Sequence, residues 1–335
     1  MTQRRDFLRT SVTAGAGLSL FPAFSATYNH VDAEEGRRVG IIGLDTSHCK
    51  AFTKVFNNTL DNEYGGYKVV AAYPTSGSSD LPASINRIEG FTDWVKQQGV
   101  EILGSIEELL EKVDVVLLET VDGRKHLEQA LPVLKAGKRL FIDKPMAASL
   151  SDGIAIFSAA KQNNVPVFST SSVRYIIGMD EVKNGSVGKI TGADTFSPAF
   201  FDGTHPDLFW YGIHGVEMLF SVMGAGCKSV TRISTSDTDI VVGIWADGRV
   251  GTFRGTRSGK PDIGGTVFGE KGTRILGPDE GYELLLKEIA RFFETGVTPV
   301  KPEETLEVLA FMEAADESKK REGVSVSIQE VMEKA

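Results

Sequence analysis

The chain reads as an α/β protein: a doubly wound parallel sheet, followed by an α+β unit with an open, mostly antiparallel sheet. Three observations predict this. Short, near-continuous β-branched runs alternate with helical patterns from Arg38 to Phe168, which calls for parallel strands joined by helical crossovers. After about Ser172 the runs lengthen and alternate apolar with polar residues, as in a sheet with one wet face. A glycine turn follows the first run, where α/β folds hold phosphate groups.

In order, strands are expected over 38–42, 68–73, 113–118, 139–142 and 165–168, with helices over 51–57, 106–112, 127–135 and 153–161. Gly137 is a stop signal for the third of these helices. Longer strands follow over 189–196, 229–234, 239–245 and 249–254, the last two joined by a hairpin turn at Asp247-Gly248. Two amphipathic helices close the pattern. The first, over 282–295, aligns Leu285, Ile289, Phe292 and Phe293; the second, over 305–321, aligns Leu306, Leu309, Met312 and Ala315. The expected division is a dinucleotide-binding unit over 37–172 and a substrate and oligomerisation unit over 173–335.

Residues 1–30 carry a different pattern. Arg4-Arg5, a mildly apolar stretch over 12–24 and small residues at Ser25 and Ala26 read as a twin-arginine export signal. The stretch falls short of the roughly 20 apolar residues that a spanning helix needs, so no stable membrane insertion is expected after cleavage. The expected location is the periplasm or another exported compartment. Export of a folded protein away from the cytoplasmic cofactor pool implies a tightly held nucleotide.

Composition narrows the partners. Among 335 residues, 36 are Lys or Arg and 45 are Asp or Glu, a net charge of -9 that disfavours nucleic acid and anionic lipid. Removing residues 1–30 takes away three arginines and one aspartate and leaves -11. The two cysteines, Cys49 and Cys227, exclude a disulfide framework, and a bond between them would have to cross the two units. Cys49 stands at a helix start but reads first as a small buried apolar residue.

The first strand runs into Gly40-Ile-Ile-Gly43-Leu44-Asp45-Thr46-Ser47-His48. A dinucleotide fingerprint carries glycine at three places, and here only Gly43 supplies one; Asp45 and His48 occupy the second and third. Asp45 would repel a phosphate, or it caps the following helix; Thr46 and Ser47 offer hydroxyls and amides at a helix start. The second strand ends in Tyr73-Pro-Thr75-Ser-Gly-Ser-Ser79, with no acid for a ribose 2′-hydroxyl. That leans toward NADP over NAD, with a plain polar loop as the other reading. Thr120-Val-Asp-Gly-Arg-Lys-His126 and Asp143-Lys144-Pro145 follow later strands, at the carboxyl ends where such sheets bind ligands. Lys144 there is placed to hydrogen-bond a substrate hydroxyl and assist its deprotonation.

The Asp143-Lys144-Pro145 step resembles the Glu-Lys-Pro signature of the glucose-fructose oxidoreductase and inositol dehydrogenase (Gfo/Idh/MocA) family. Thr120 and His126 stand at the distance that family shows, Val173-Arg174-Tyr175 resembles its Arg-aromatic step, and Gly212-Ile-His214-Gly-Val-Glu217 resembles its Gly-x-His-x-x-Asp helix. The similarity runs on to Glu304-Thr-Leu-Glu307 and Ser318, so it covers roughly residues 38 to 330. It implies a Rossmann domain holding NAD or NADP, an open sheet that forms a homodimer or homotetramer, and hydride transfer at a secondary alcohol of a sugar, cyclitol or glycoside. The cofactor would touch Gly43, Asp45, Thr46, Ser47, His48, Thr75, Thr120, His126, Asp143, Lys144 and Arg174. His214 would take the hydroxyl proton while Lys144 polarises the same oxygen.

The chain departs from that pattern four residues before His214, where the family's acid falls on Trp210. Asp207 and Glu217 are the nearest replacements, and Asp207 is the expected third catalytic residue. Trp210 and Tyr211 form a stacking floor for a sugar ring, or they belong to the core. Lys144, Arg174, Trp210, Tyr211 and His214 are the expected substrate contacts. The leading expectation is an exported oxidoreductase doing redox-neutral chemistry on a carbohydrate; the alternative is a carbohydrate-binding protein without redox activity, favoured by Asp45 and Trp210. No metal is expected, because His205, Asp207, His214 and Glu217 lack a compact ligand spacing.

Overall fold

The computed structural model describes residues 33–58, 62–75 and 78–335. The twin-arginine pattern and the residues Ser76 and Gly77 lie outside them.

Six parallel strands form the first sheet: β1 (Arg38–Ile42), β2 (Lys68–Tyr73), β3 (Glu101–Ile102), β4 (Val115–Leu118), β5 (Arg139–Ile142) and β6 (Val167–Ser169). Their spatial order is β3-β2-β1-β4-β5-β6, with the order reversing between β1 and β4. Every residue of β4 is buried, as a run with no polar alternation requires. The connecting helices are α1 (Ser47–Asn58), α2 (Pro82–Gln97), α3 (Ile106–Lys112), α4 (His126–Lys135) and α5 (Leu150–Asn163). Ser105 and Ser149 cap α3 and α5, accepting from the amides of Glu108 and Asp152 at 3.1 Å. Helix α2 and strand β3 were not expected from the sequence. Only Ser84 and Val95 of α2 are buried, so its apolar stripe is too thin to show, and β3 is two residues long.

The second sheet contains β7 (Ile190–Pro198), β8 (Cys227–Ser234), β9 (Thr238–Trp245), β10 (Val250–Thr256), β11 (Gly264–Gly269), β12 (Gly272–Leu276) and β13 (Val326–Ser327). Its order is β12-β11-β7-β10-β9-β8-β13, antiparallel except where β7 and β10 run parallel. Short helices α6 (Met179–Lys183) and α7 (Asp207–Trp210) precede α8 (Ile213–Met223), and α9 (Glu283–Thr295), α10 (Pro302–Lys320) and α11 (Ile328–Met332) complete the chain. Helices α8 and α10 cover one face; the other leaves Ile233, Ile244 and Ile275 exposed.

Two features lock the halves together. Gly153 on α5 permits close packing on α10, since a Cβ there would lie 2.5 Å from Leu309 Cδ1. Helix α9 crosses back and gives Leu285, Ile289, Phe292 and Phe293 to the core of the first sheet, with the Phe292 ring 4.7 Å from that of Phe168. The apolar stripe of α9 is legible in sequence, but a stripe carries no label for the sheet that it covers.

Candidate active site at the strand ends

Two clefts open at the carboxyl ends of the first sheet. One, of about 430 Å³, lies beyond β2, β3 and β4 and is lined by Tyr73, Thr75, Glu107, Thr120, Lys125 and Glu128, among others. The other, of about 260 Å³, gathers Thr46, Ser47 and His48 from the start of α1, Asp143 and Lys144 from the end of β5, and Trp210, Tyr211 and His214 from the second half. The reversal of strand order at β1 and β4 creates this crevice, because crossovers leave that point in opposite directions.

In the second cleft, burial and then the nearby Lys144 charge hold the His214 imidazole well below its ordinary pKa, so it stays neutral. Its Nδ1 lies 2.9 Å from Ser171 Oγ. With the proton on Nδ1, donated to that hydroxyl, Nε2 is left as the ring's acceptor. Trp210 and Tyr211 line the cleft, while Leu208 and Phe209 beside them go to the core. Both rings thus lie at the cleft and not in the core.

Beneath them lies a trio of titratable side chains. His48 Nδ1 is 2.6 Å from Asp143 Oδ2 and 3.9 Å from Glu119 Oε2. Burial, and then the Asp143 charge, push the Glu119 carboxyl well above its ordinary range. Burial works against ionised Asp143 too, but the His48 contact outweighs it and keeps that carboxylate low. The His48 ring is held by stacking on Phe52 and an edge contact with Tyr282.

A dinucleotide would have to bridge the two clefts over the β1–α1 turn. Gly43 is built for that turn: its φ is +92° and a Cβ would sit 2.4 Å from the Thr120 nitrogen. Thr120 Oγ1 is buried without a partner beside it, and Thr46 and Ser47 stand at the start of α1. Both ends therefore fit the group. The strip between them does not fit it in this conformation, because the segment before and into α2 is stitched across it. Ser84 Oγ donates to Asp45 Oδ2 at 2.5 Å, the Val121 amide donates to Asp45 Oδ1 at 2.9 Å, and Ser78 Oγ donates to Asp122. Arg124 reinforces the seam by gripping Asp80 and Asp122. Burial opposes ionisation of Asp122, but hydrogen bonds from His205, Arg124 and Ser78 overcome it and hold the carboxylate well below its usual range.

Several expected site residues are engaged elsewhere. Asp45 neither caps its own helix nor faces a ligand; its carboxylate is fully buried in the seam. His126 is buried between the Thr120 and Met146 carbonyls and serves the backbone, not a cofactor. Arg174 touches neither cofactor nor substrate space, because it is clamped by Glu217 at 2.8 Å and Glu304 at 2.6 Å. That pairing also removes Glu217 as a catalytic acid. Asp207 is bound by Arg232, Arg257 and Lys319 away from the cleft, which removes it from the catalytic set. His205 turns to Asp122, so the four residues once considered for a metal are dispersed. Conversely, Arg87, Asp279 and Tyr282 line the second cleft, and Glu119 lies below it; sequence reasoning missed all four. Asp279 and Tyr282 lie far along the chain from every motif, and no local spacing would have found them. Glu119, next to Thr120 at a strand end, was within reach of inspection. Cys49 is buried as expected, its thiol raised by burial.

Residues 37–171 match the GFO_IDH_MocA family, described as an oxidoreductase family with an NAD-binding Rossmann fold. The first sheet and its helices are thus an NAD-binding Rossmann fold. Inositol 2-dehydrogenase 3 of Saccharopolyspora erythraea is 29% identical over 150 residues, 44% of this chain and 39% of that protein. The match thus spans about two fifths of that relative's length. Among solved structures, myo-inositol 2-dehydrogenase from Lactobacillus plantarum superposes with a TM-score of 0.71 at 17% identity, covering 87% of this chain and 99% of that one. Scyllo-inositol dehydrogenase from Lactobacillus casei, crystallised with NAD(H) and scyllo-inositol, gives 0.68 at 17% identity, with the same coverage of 87% and 99%. At these identities the two structures share this chain's fold.

Proposed function

Starting from a first domain that matches the GFO_IDH_MocA oxidoreductases over residues 37–171, we propose that the chain is an NAD(P)-dependent oxidoreductase acting on a secondary hydroxyl of a sugar, cyclitol or glycoside. The carrying observation is the single cleft that holds Lys144, neutral His214, Trp210 and Tyr211 at the strand ends. A polyol presents an apolar ring face to Trp210 and Tyr211 and hydroxyls to Lys144 and His214. Lys144 donates to the reacting oxygen, and His214 Nε2 accepts its proton. NAD(P), when bound, supplies the hydride acceptor. Gly43, Thr46, Ser47 and Thr120 would hold it, with Thr75 and Lys125 at its adenosine end. Asp279, which accepts from Ser172 Oγ at 3.3 Å, is the carboxylate of this chain available to orient a second hydroxyl.

In this proposal the protein is exported with its nucleotide in place and works in a redox-neutral cycle. It self-associates through the open face bearing Ile233, Ile244 and Ile275. The test is denaturation of the purified protein and mass spectrometry of what it releases. NADP or NAD is expected, and its identity decides between the two; no nucleotide, and none taken up on addition, refutes the redox reading. The second reading, a carbohydrate-binding protein without redox activity, is favoured by the seam of Asp45 and Asp122 across the nucleotide path. Sugar binding by nucleotide-free protein, without turnover, would establish it.

A further inference from the structure

We propose that His48, Glu119 and Asp143 form a divalent-cation site in the floor of the second cleft. The start of α1 and the ends of β4 and β5 bring one ligand atom from each residue within 4.8 Å of the other two. Independent support comes from Glu119. Its side chain is fully buried, and neither carboxylate oxygen has a hydrogen-bond partner. Within ion-pair distance it meets only His48 Nδ1, at 3.9 Å, among the described residues. A buried carboxyl group with no hydrogen-bond donor on either oxygen costs free energy that a bound cation offsets.

The ligand chemistry is specific. One imidazole nitrogen and two carboxylates suit Zn²⁺ or Mn²⁺ better than Ca²⁺, which takes six to eight oxygens, or Cu⁺, which prefers sulfur. Two carboxylates also balance a charge of +2. Tetrahedral bonds of about 2.1 Å place ligand atoms about 3.4 Å apart. The 2.6 Å bond between His48 and Asp143 must therefore open and the longer separations close, a change that side-chain rotation supplies. The proton on His48 Nδ1 leaves as the metal enters. His48 and Asp143 both line the cleft, so a remaining coordination position faces the ligand space between Lys144 and His214. Two of the three ligands are departures from the expected motifs: His48 stands in place of the third glycine of the dinucleotide fingerprint, and Asp143 in place of the glutamate of the Glu-Lys-Pro step that it resembles.

The site does not depend on the nucleotide, and its test is read from metal rather than turnover. The full chain, stripped with chelator, is titrated with Zn²⁺ and Mn²⁺ by calorimetry, and the protein as purified is analysed for metal. Co²⁺ loading adds a visible spectrum that reports nitrogen and oxygen ligation. The expected result is one equivalent per chain, a raised melting temperature on loading, and at least tenfold weaker binding in E119Q and in H48N. E119Q keeps the shape of the side chain, and circular dichroism checks that both variants fold. Metal-free protein that takes up neither ion overturns the proposal. So does equal uptake by wild type and both folded variants.

Discussion

Removing the hydroxyls of Ser78 and Ser84 should unfasten the seam over the nucleotide path. The variant Ser78→Ala with Ser84→Ala deletes the donors to Asp122 and Asp45. Neither carboxylate is then left alone: Asp45 keeps the Val121 amide, and Asp122 keeps Arg124 and His205. Ser84→Ala also removes the hydroxyl that accepts from the Ser78 amide at 3.2 Å, so the loss is the net value of two hydrogen bonds to charged groups, about 3 kcal/mol together, plus that of this weaker third bond. A ligand that must break both bonds is weakened by the scarcity of the open form, and about 1.4 kcal/mol corresponds to a tenfold change. NADH should thus bind roughly 100-fold more tightly to the double variant. The assay is NADH fluorescence titration at constant salt, with melting temperature followed in parallel. The apo variant should melt earlier and gain more on adding NADH than wild type does. An affinity within threefold of wild type, in folded protein, would refute the view that this seam opposes dinucleotide binding.

Lys144→Ala or His214→Ala should each lower kcat by about 10²- to 10⁴-fold with little change in folding, as measured on the polyol that the wild type oxidises. Because His214 is held neutral below its ordinary pKa, kcat should show no loss attributable to His214 as pH falls from 8 to about 6.5. The same depression makes its contribution to folding complete above the unfolded value near 6.5 and lost as pH falls below it; denaturant melts at pH 7.5 and 5.5 should show the decline, and His214→Gln should reduce it. Arg174→Met strands Glu217 in the interior and should cost about 3–5 kcal/mol in urea unfolding, with much of that restored by adding Glu217→Leu.

Local pattern made much of this molecule legible. The runs at 38–42, 68–73 and 139–142 form β1, β2 and β5 with the expected bounds: after a basic first residue each is apolar, as a strand covered on both faces requires. The Asp247-Gly248 turn joins β9 to β10, with Gly248 at a φ of +87°. Lys144 and His214 are expected as a pair and Trp210 and Tyr211 as a second pair beside it, and all four line one cleft. Arg174, Asp207 and His126 look equally functional in sequence, since a charged or imidazole side chain reads the same whether it meets a ligand or an internal partner. Their partners, Glu304, Arg257 and the Met146 carbonyl, are 20 to 130 residues away.

The sequence by itself determined the alternation of strand and helix, the parallel doubly wound class of the first sheet and the strand ends at which chemistry belongs. Periodicity and turn residues encode those within a few positions of the chain. Tertiary structure decided which charges are spent on the fold and which remain in the cleft. It turned Asp45 inward to the Val121 amide and Ser84, set Arg174 between two glutamates, and left Glu119 unpartnered below His48. Whether a buried charge is paired depends on groups brought together from distant parts of the chain, and that juxtaposition exists only in the folded molecule.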